Sequence, residues 1–157
     1  MNIFNMSEIV DLGIEKEKKR RDFYALVAEK FSDKNMKELF TKLSAWEDAH
    51  IKKFTDIRDS IKDIRETEGY KGELNSYMQA LLDDKLYNDV SPVKFSANVK
   101  TPLDAISYGI GFEKDAIIFF NEIVNYTVDA RRDVIKKLIE EEKQHIVYLA
   151  ALRENVV

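Results

Sequence analysis

The sequence predicts an all-α protein, a four-helix bundle with a long crossover between its second and third helices. Three observations carry this. Apolar residues recur at helical spacing over four long segments. Gly and Pro are scarce, five and two in 157 residues, too few for the many turns of an all-β chain. Hydrophobic residues make up 45% of the chain and charged residues 34%, the balance of helices with one apolar stripe and a solvated outer face. At 157 residues the chain reads as one domain, 1–157, long enough to bury a sizeable core.

The first helix is expected at about 7–31. Ile9, Val10, Gly13, Ile14, Tyr24, Val27, Ala28 and Phe31 fall on one side, with Glu17 in the middle of that side. A solvated face accounts for Lys18, Lys19 and Asp22 in the charged run 16–22, but not for Glu17. Ser32 is the expected N-cap of a second helix over 33–65, with a stripe of Met36, Leu39, Phe40, Leu43, Ile51, Phe54, Ile57 and Ile61. Glu47 and His50 interrupt this stripe at its centre, and the neighbouring Trp46 reads as a flank or interface residue.

Residues 66–100, with Gly69, Gly72 and Pro92, form the crossover. Leu74, Tyr77, Met78, Leu81 and Leu82 suggest a short amphipathic helix within it, and 89–99 is expected to be extended or irregular. A connection of this length lets the chain change ends between two helical hairpins. Thr101-Pro102-Leu103-Asp104 is a helix start: a capping hydroxyl, a proline at the first position, an acid in the first turn. The third helix is expected over 102–126, with Ile106, Ile110, Ile117, Phe120 and Val124 flanking Glu113. A turn at 127–129 leads to a fourth over 129–155, where Ile135, Leu138, Ile146, Leu149 and Leu152 flank Glu142 and His145.

Several function classes are disfavoured. A net charge of −4 offers no electrostatic case for nucleic acid or an anionic membrane. Apolar runs such as Ala116 to Phe120 are far too short to span a bilayer. The N-terminus lacks the basic and apolar regions of a signal peptide. With no cysteine, disulfides, thiolate metal sites and Fe–S clusters are excluded, and a reducing cytoplasmic location is expected.

The informative residues are the acids in the stripes. Each helix places one Glu at the centre of its apolar face, and the second and fourth add the only two histidines, as Glu47-x-x-His50 and Glu142-x-x-His145. Residues at i and i+3 share a helix face, so each pair can reach one ion or two adjacent ions. The halves also repeat. Gly13, Glu17, Tyr24, Glu47 and His50 are matched by Gly109, Glu113, Phe120, Glu142 and His145, with an offset of 96 residues on the first helix of each half and 95 on the second. Four buried carboxylates are untenable unless paired or metal-bound, and two divalent ions neutralise them. One Glu from each of two helices plus Glu-x-x-His from each of two others is a ligand set of carboxylate-bridged di-iron and di-manganese bundles. Oxygen and imidazole donors without thiolate suit Fe or Mn, with Zn as a further occupant. The alternative is a plain bundle whose glutamates form buried ion pairs. Tyr24 and Tyr148 are candidates for contact with the ligands.

These motifs resemble those of rubrerythrin-type, ferritin-like di-iron proteins over essentially the whole length. Glu with an aromatic seven residues on is present as Glu17/Tyr24 and Glu113/Phe120, and the Glu-x-x-His pairs as Glu47/His50 and Glu142/His145. The resemblance implies a ferritin-like bundle with two iron ions. Glu17, Glu47 and His50 would hold one and Glu113, Glu142 and His145 the other, with Glu47 and Glu142 as bridges. It implies a redox reaction with O2 or H2O2, electrons from a separate donor protein, and a homodimer. Iron binding or storage with ferroxidase activity is the alternative. The sequence departs from the pattern in three places. Ala116 stands where rubrerythrins carry a second Glu, Arg20 where a small residue is common, and no Cys-rich rubredoxin segment is present.

Overall fold

The computed structural model describes residues 6–61, 71–127 and 129–156. These residues form an all-α, ferritin-like bundle. The long helices are α1 (Met6–Lys30), α2 (Lys34–Ile61), α6 (Pro102–Ile123) and α7 (Asp129–Asn155). Between α2 and α6 lie α3 (Lys71–Leu81) and the single-turn helices α4 (Lys85–Asn88) and α5 (Phe95–Asn98). The expected end of the second helix and the start of the crossover, 62–70, lie outside the described residues.

Helices α1 and α2 pair as one hairpin and α6 and α7 as another; α1 then packs on α6, and α2 on α7. Local chemistry sets the helix starts. At α6 the Thr101 hydroxyl accepts from the Asp104 amide (3.2 Å), and the Asp104 carboxylate accepts from the Thr101 amide (2.9 Å), with Pro102 at the first position. The cap of α2 is Asp33, not the expected Ser32: its carboxylate accepts the Met36 amide at 2.9 Å. The α-helical part of α6 ends at Ile123, short of the expected 126, and Val124–Tyr126 tightens into a 3-10 turn. The Thr127 hydroxyl donates there to the Ile123 carbonyl (2.8 Å). The buried face of α6 also differs from the expected stripe. Phe112, Phe119 and Ile123 are buried, whereas Ile117 and Val124 are only partly so.

The crossover lies along α1 and α6. α3 packs on α6, burying Met78, and α4 packs on both α1 and α6. Residues 89–99, expected to be extended or irregular, are a run of turns that closes into a single helical turn. The Ser91 carbonyl accepts from both the Lys94 and Phe95 amides (2.8 Å each), which winds the chain into α5. Val90, Phe95 and Val99 are thereby buried. Lys16, almost wholly buried, ties this layer down, donating to the Leu81 carbonyl (2.7 Å) and pairing with Asp115 on α6 (3.0 Å).

The apolar core divides into two clusters. One holds Phe23 to Ala28 of α1, Met36 to Leu43 of α2, Ala105 to Phe112 of α6, and Leu149 and Leu152 of α7. The other holds Ile9 to Ile14, Ile51 to Ile57, Ala116 to Ile123 and Ile135 to Ile139 of the same helices. On every helix the buried acids fall between the two. The bundle therefore carries one polar layer across its middle, closed above and below by hydrocarbon.

The glycines of the repeat set helix spacing. A Cβ on Gly13 would lie 2.4 Å from the Phe119 ring, and one on Gly109 would lie 3.2 Å from Leu149. Both allow close helix approach immediately beside the polar layer.

Candidate metal centre

All six residues singled out in the sequence meet in that layer. Glu17, Glu47, His50, Glu113, Glu142 and His145 are each no more than 4% exposed. Their donor atoms fall into two groups, each with all atoms within 4.8 Å of one another: Glu17, Glu47, His50 and Glu142, and Glu47, Glu113, Glu142 and His145. The expected threefold sets are thus enlarged to fours, because Glu47 and Glu142 stand between the halves and present one oxygen to each.

The two halves are not alike. In the first, the Arg20 guanidinium lies among the carboxylates, 1% exposed. Its Nη2 donates to Glu17 Oε1 in a very short contact, to Glu47 Oε2 at 3.0 Å and to Glu142 Oε1 at 3.3 Å. Its Nη1 is directed at the Phe112 carbonyl and the Tyr87 hydroxyl, both 3.4 Å away. Tyr87, from α4, is buried and stacked on Phe112 with ring centroids 4.3 Å apart. His50 completes this half: Nδ1 lies 2.9 Å from Glu142 Oε1, and Nε2 lies 2.6 Å from Glu141 Oε2, which orients the ring.

In the second half, His145 Nδ1 lies 2.9 Å from Glu142 Oε2, 3.3 Å from Glu47 Oε1 and 3.4 Å from Glu113 Oε1. These are ion-pair distances without hydrogen-bond alignment. Glu47 Oε1, Glu113 Oε2, Glu142 Oε2 and His145 Nδ1 are all buried with no hydrogen-bond partner. Tyr24 donates to the other Glu113 oxygen at 2.6 Å. Buried lone pairs without a donor are costly, and several converging ones are characteristic of a cation site. Three carboxylates and one imidazole are oxygen-rich, borderline-hard ligands that fit iron or manganese.

The electrostatics follow from burial and neighbours. Burial pushes the Glu17 carboxyl up to about 8, against the pull of Arg20. Burial, with Glu142 and Glu47 beside it, holds Glu113 well above the usual carboxylate range. Glu47 and Glu142 go the other way. Burial opposes their ionisation, but Arg20 and the imidazoles outweigh it, holding Glu47 well below its usual range and Glu142 at about 2. The imidazoles lose solvation, yet the carboxylates packed against them raise His50 to about 11 and His145 to about 12. Protons and Arg20 thus balance the carboxylates when no metal is bound. A metal ion must displace the His145 proton to use that nitrogen.

The rubrerythrin family model matches residues 8–153. The chain belongs to the rubrerythrin family. No curated protein and no solved structure matches it. Within the rubrerythrin family, buried carboxylate and histidine clusters of this kind support metal binding. At the position expected to carry a further Glu, Ala116 is buried among apolar residues and offers no donor.

Four surrounding residues were not legible as site residues. Trp46, expected as a flank, stacks on His145 with centroids 5.2 Å apart and planes 12° from parallel, and His145 stacks in turn on His50 at 5.4 Å. Glu141 holds His50, and Tyr87 comes from the crossover, where no periodicity marked it. Arg20 was visible only as a departure from the expected small residue; its i+3 spacing from Glu17 was the available signal. Tyr24 does touch a carboxylate, whereas Tyr148 is 41% exposed and packs near Trp46 at 5.6 Å.

Proposed function

We propose that this rubrerythrin-family chain is a non-haem metal oxidoreductase that reacts with O2 or H2O2 and draws electrons from a separate protein. The observation that carries the reading is the set of four buried, unpartnered donor atoms contributed by Glu47, Glu113, Glu142 and His145, one or two from each of α2, α6 and α7. Iron or manganese bound there would supply reversible one-electron chemistry in a layer walled by hydrocarbon above and below.

The chain's own residues account for the remaining requirements. Glu47 and Glu142 stay ionised in the buried layer and provide anionic ligands without prior deprotonation. The Tyr24 hydroxyl fixes the Glu113 rotamer through its 2.6 Å hydrogen bond. The Trp46 stack fixes the plane of His145. A cavity of about 270 Å³ on the α2–α7 face, lined by Trp46, His50, Lys53, Glu141, His145 and Tyr148, brings solvent to the two imidazoles. It is wide enough for a small oxidant to approach from that side. Among the described residues no helix is long and apolar enough to cross a membrane. A cytoplasmic location and a homodimer are part of the same proposal.

The test is anaerobic loading with Fe(II), then exposure to O2 or H2O2 in separate runs, with oxidation followed by near-ultraviolet absorption. Rapid oxidation by either, reversed by a chemical reductant over repeated cycles, is expected. Oxidation accompanied by continued uptake of many irons per chain would point instead to storage. No bound iron would sink the redox reading altogether.

A further inference from the structure

The repeat that relates the two halves of the bundle breaks at one position inside the polar layer. The 96-residue offset that carries Glu17 onto Glu113 and Tyr24 onto Phe120 carries Arg20 onto Ala116. A methyl group and a guanidinium therefore occupy equivalent places beside equivalent glutamates.

The consequences are opposite in the two halves. Beside Ala116, the four atoms facing one another, Glu47 Oε1, Glu113 Oε2, Glu142 Oε2 and His145 Nδ1, have no hydrogen-bond partner. Beside Arg20, most of the corresponding atoms are taken; Glu17 Oε2 and the guanidinium's own Nε are the buried atoms without a partner there. Glu17 Oε1, Glu47 Oε2 and Glu142 Oε1 each accept from Nη2, and His50 Nδ1 is bonded to Glu142 Oε1. The guanidinium is itself built in. It is 1% exposed, backed by the Phe112 carbonyl and the Tyr87 hydroxyl, and seated beneath the crossover. It meets three carboxylates from three helices, as a bridged ion would.

We propose that Arg20 stands in for one metal ion, so that the centre binds a single ion, held by Glu47, Glu113, Glu142 and His145, beside a fixed organic cation. The inference rests on the metal-binding reading above. Charge supports it. Four carboxylates face one guanidinium and one divalent or trivalent ion, which leaves the layer at −1 or neutral. A second divalent ion beside Arg20 would crowd two like charges into the donor group of Glu17, Glu47, His50 and Glu142, which spans no more than 4.8 Å. Arg20 cannot relieve this by losing its proton, since guanidinium stays charged in proteins.

The experiment is a metal count on the whole chain, stripped with chelator and titrated anaerobically with Mn(II), read by elemental analysis and by electron paramagnetic resonance. The wild-type chain is expected to bind one ion and to show the spectrum of an isolated Mn(II). Arg20→Ser, which restores a small side chain as at Ala116, is expected to bind two and to show an exchange-coupled pair. Arg20→Lys keeps the charge and should stay at one. Two ions in the wild type overturn the proposal while leaving metal binding intact, whether or not Arg20→Ser folds. One ion in a folded Arg20→Ser also overturns it, because the guanidinium would then not be holding a metal position. No ion in the wild type would instead remove the metal-binding reading on which it rests.

Discussion

Replacing Arg20 with methionine in the metal-free protein tests how the polar layer is held together. The guanidinium is 1% exposed and contacts three carboxylates, two of them, Glu47 and Glu142, fully buried and ionised. Methionine keeps an unbranched chain of similar reach, so most of the packing survives while the charge is lost. Removing one partner from a buried ionic cluster costs about 3–5 kcal/mol. For a domain of this length each kcal/mol moves the melting temperature by about 2–4 °C, so a fall of roughly 6–20 °C is expected. The loss should also depend on pH. Without Arg20 the carboxylates bind protons more readily, and protonation in weak acid relieves part of the penalty. The fall should therefore be larger near about pH 8 than near about pH 5. Thermal unfolding by far-ultraviolet circular dichroism in the presence of chelator measures both. A drop under about 1 kcal/mol, or one equal at both pH values, would show that Arg20 acts through packing and not as the counter-ion.

Three further outcomes are expected. The metal-free wild-type chain should lose stability as pH rises. Glu17 is raised from 4.5 to about 8, His50 from 6.5 to about 11 and His145 from 6.5 to about 12, so each binds its proton more tightly when folded. Their contribution is complete below the unfolded values and lost upward through the folded ones, whereas Glu142, lowered to about 2, is lost on acidification from about 4.5. A melting temperature that climbed between about pH 5 and pH 8 would contradict this assignment of protons. Glu142→Ala and His145→Ala should each abolish most metal uptake while leaving helicity largely intact, and full retention of metal in both would refute them as ligands. Gly13→Ala should destabilise by about 1–3 kcal/mol, since its Cβ would sit 2.4 Å from the Phe119 ring; a urea midpoint unchanged from wild type would show that the ring moves aside freely.

Helical period, cap chemistry and the scarcity of Gly and Pro determined the four long helices and the ferritin-like bundle from the sequence alone. They did so because each is a local property, written within a few residues of where it acts. The six polar residues of the central layer were legible for the same reason. An acid in the middle of an apolar stripe is a local contradiction that only a partner from another helix can resolve. Helix ends were less secure, as Asp33 and the 3-10 turn after Ile123 show, because neighbouring polar residues compete to cap the same amides.

Only the tertiary structure decided what those partners are. Nothing within a few residues of Arg20 says that its guanidinium turns inward to Glu47 and Glu142, which are 27 and 122 positions away. Nor does the sequence near residue 87 announce a tyrosine placed against that guanidinium, or that of Trp46 a ring stacked on His145. Charge and ring contacts act through space, and a long charged side chain has reach enough to choose solvent or core. In the sequence the two Glu-x-x-His pairs looked like equal halves of one site. The folded chain makes them unequal, because the position equivalent to Ala116 carries a cation of its own.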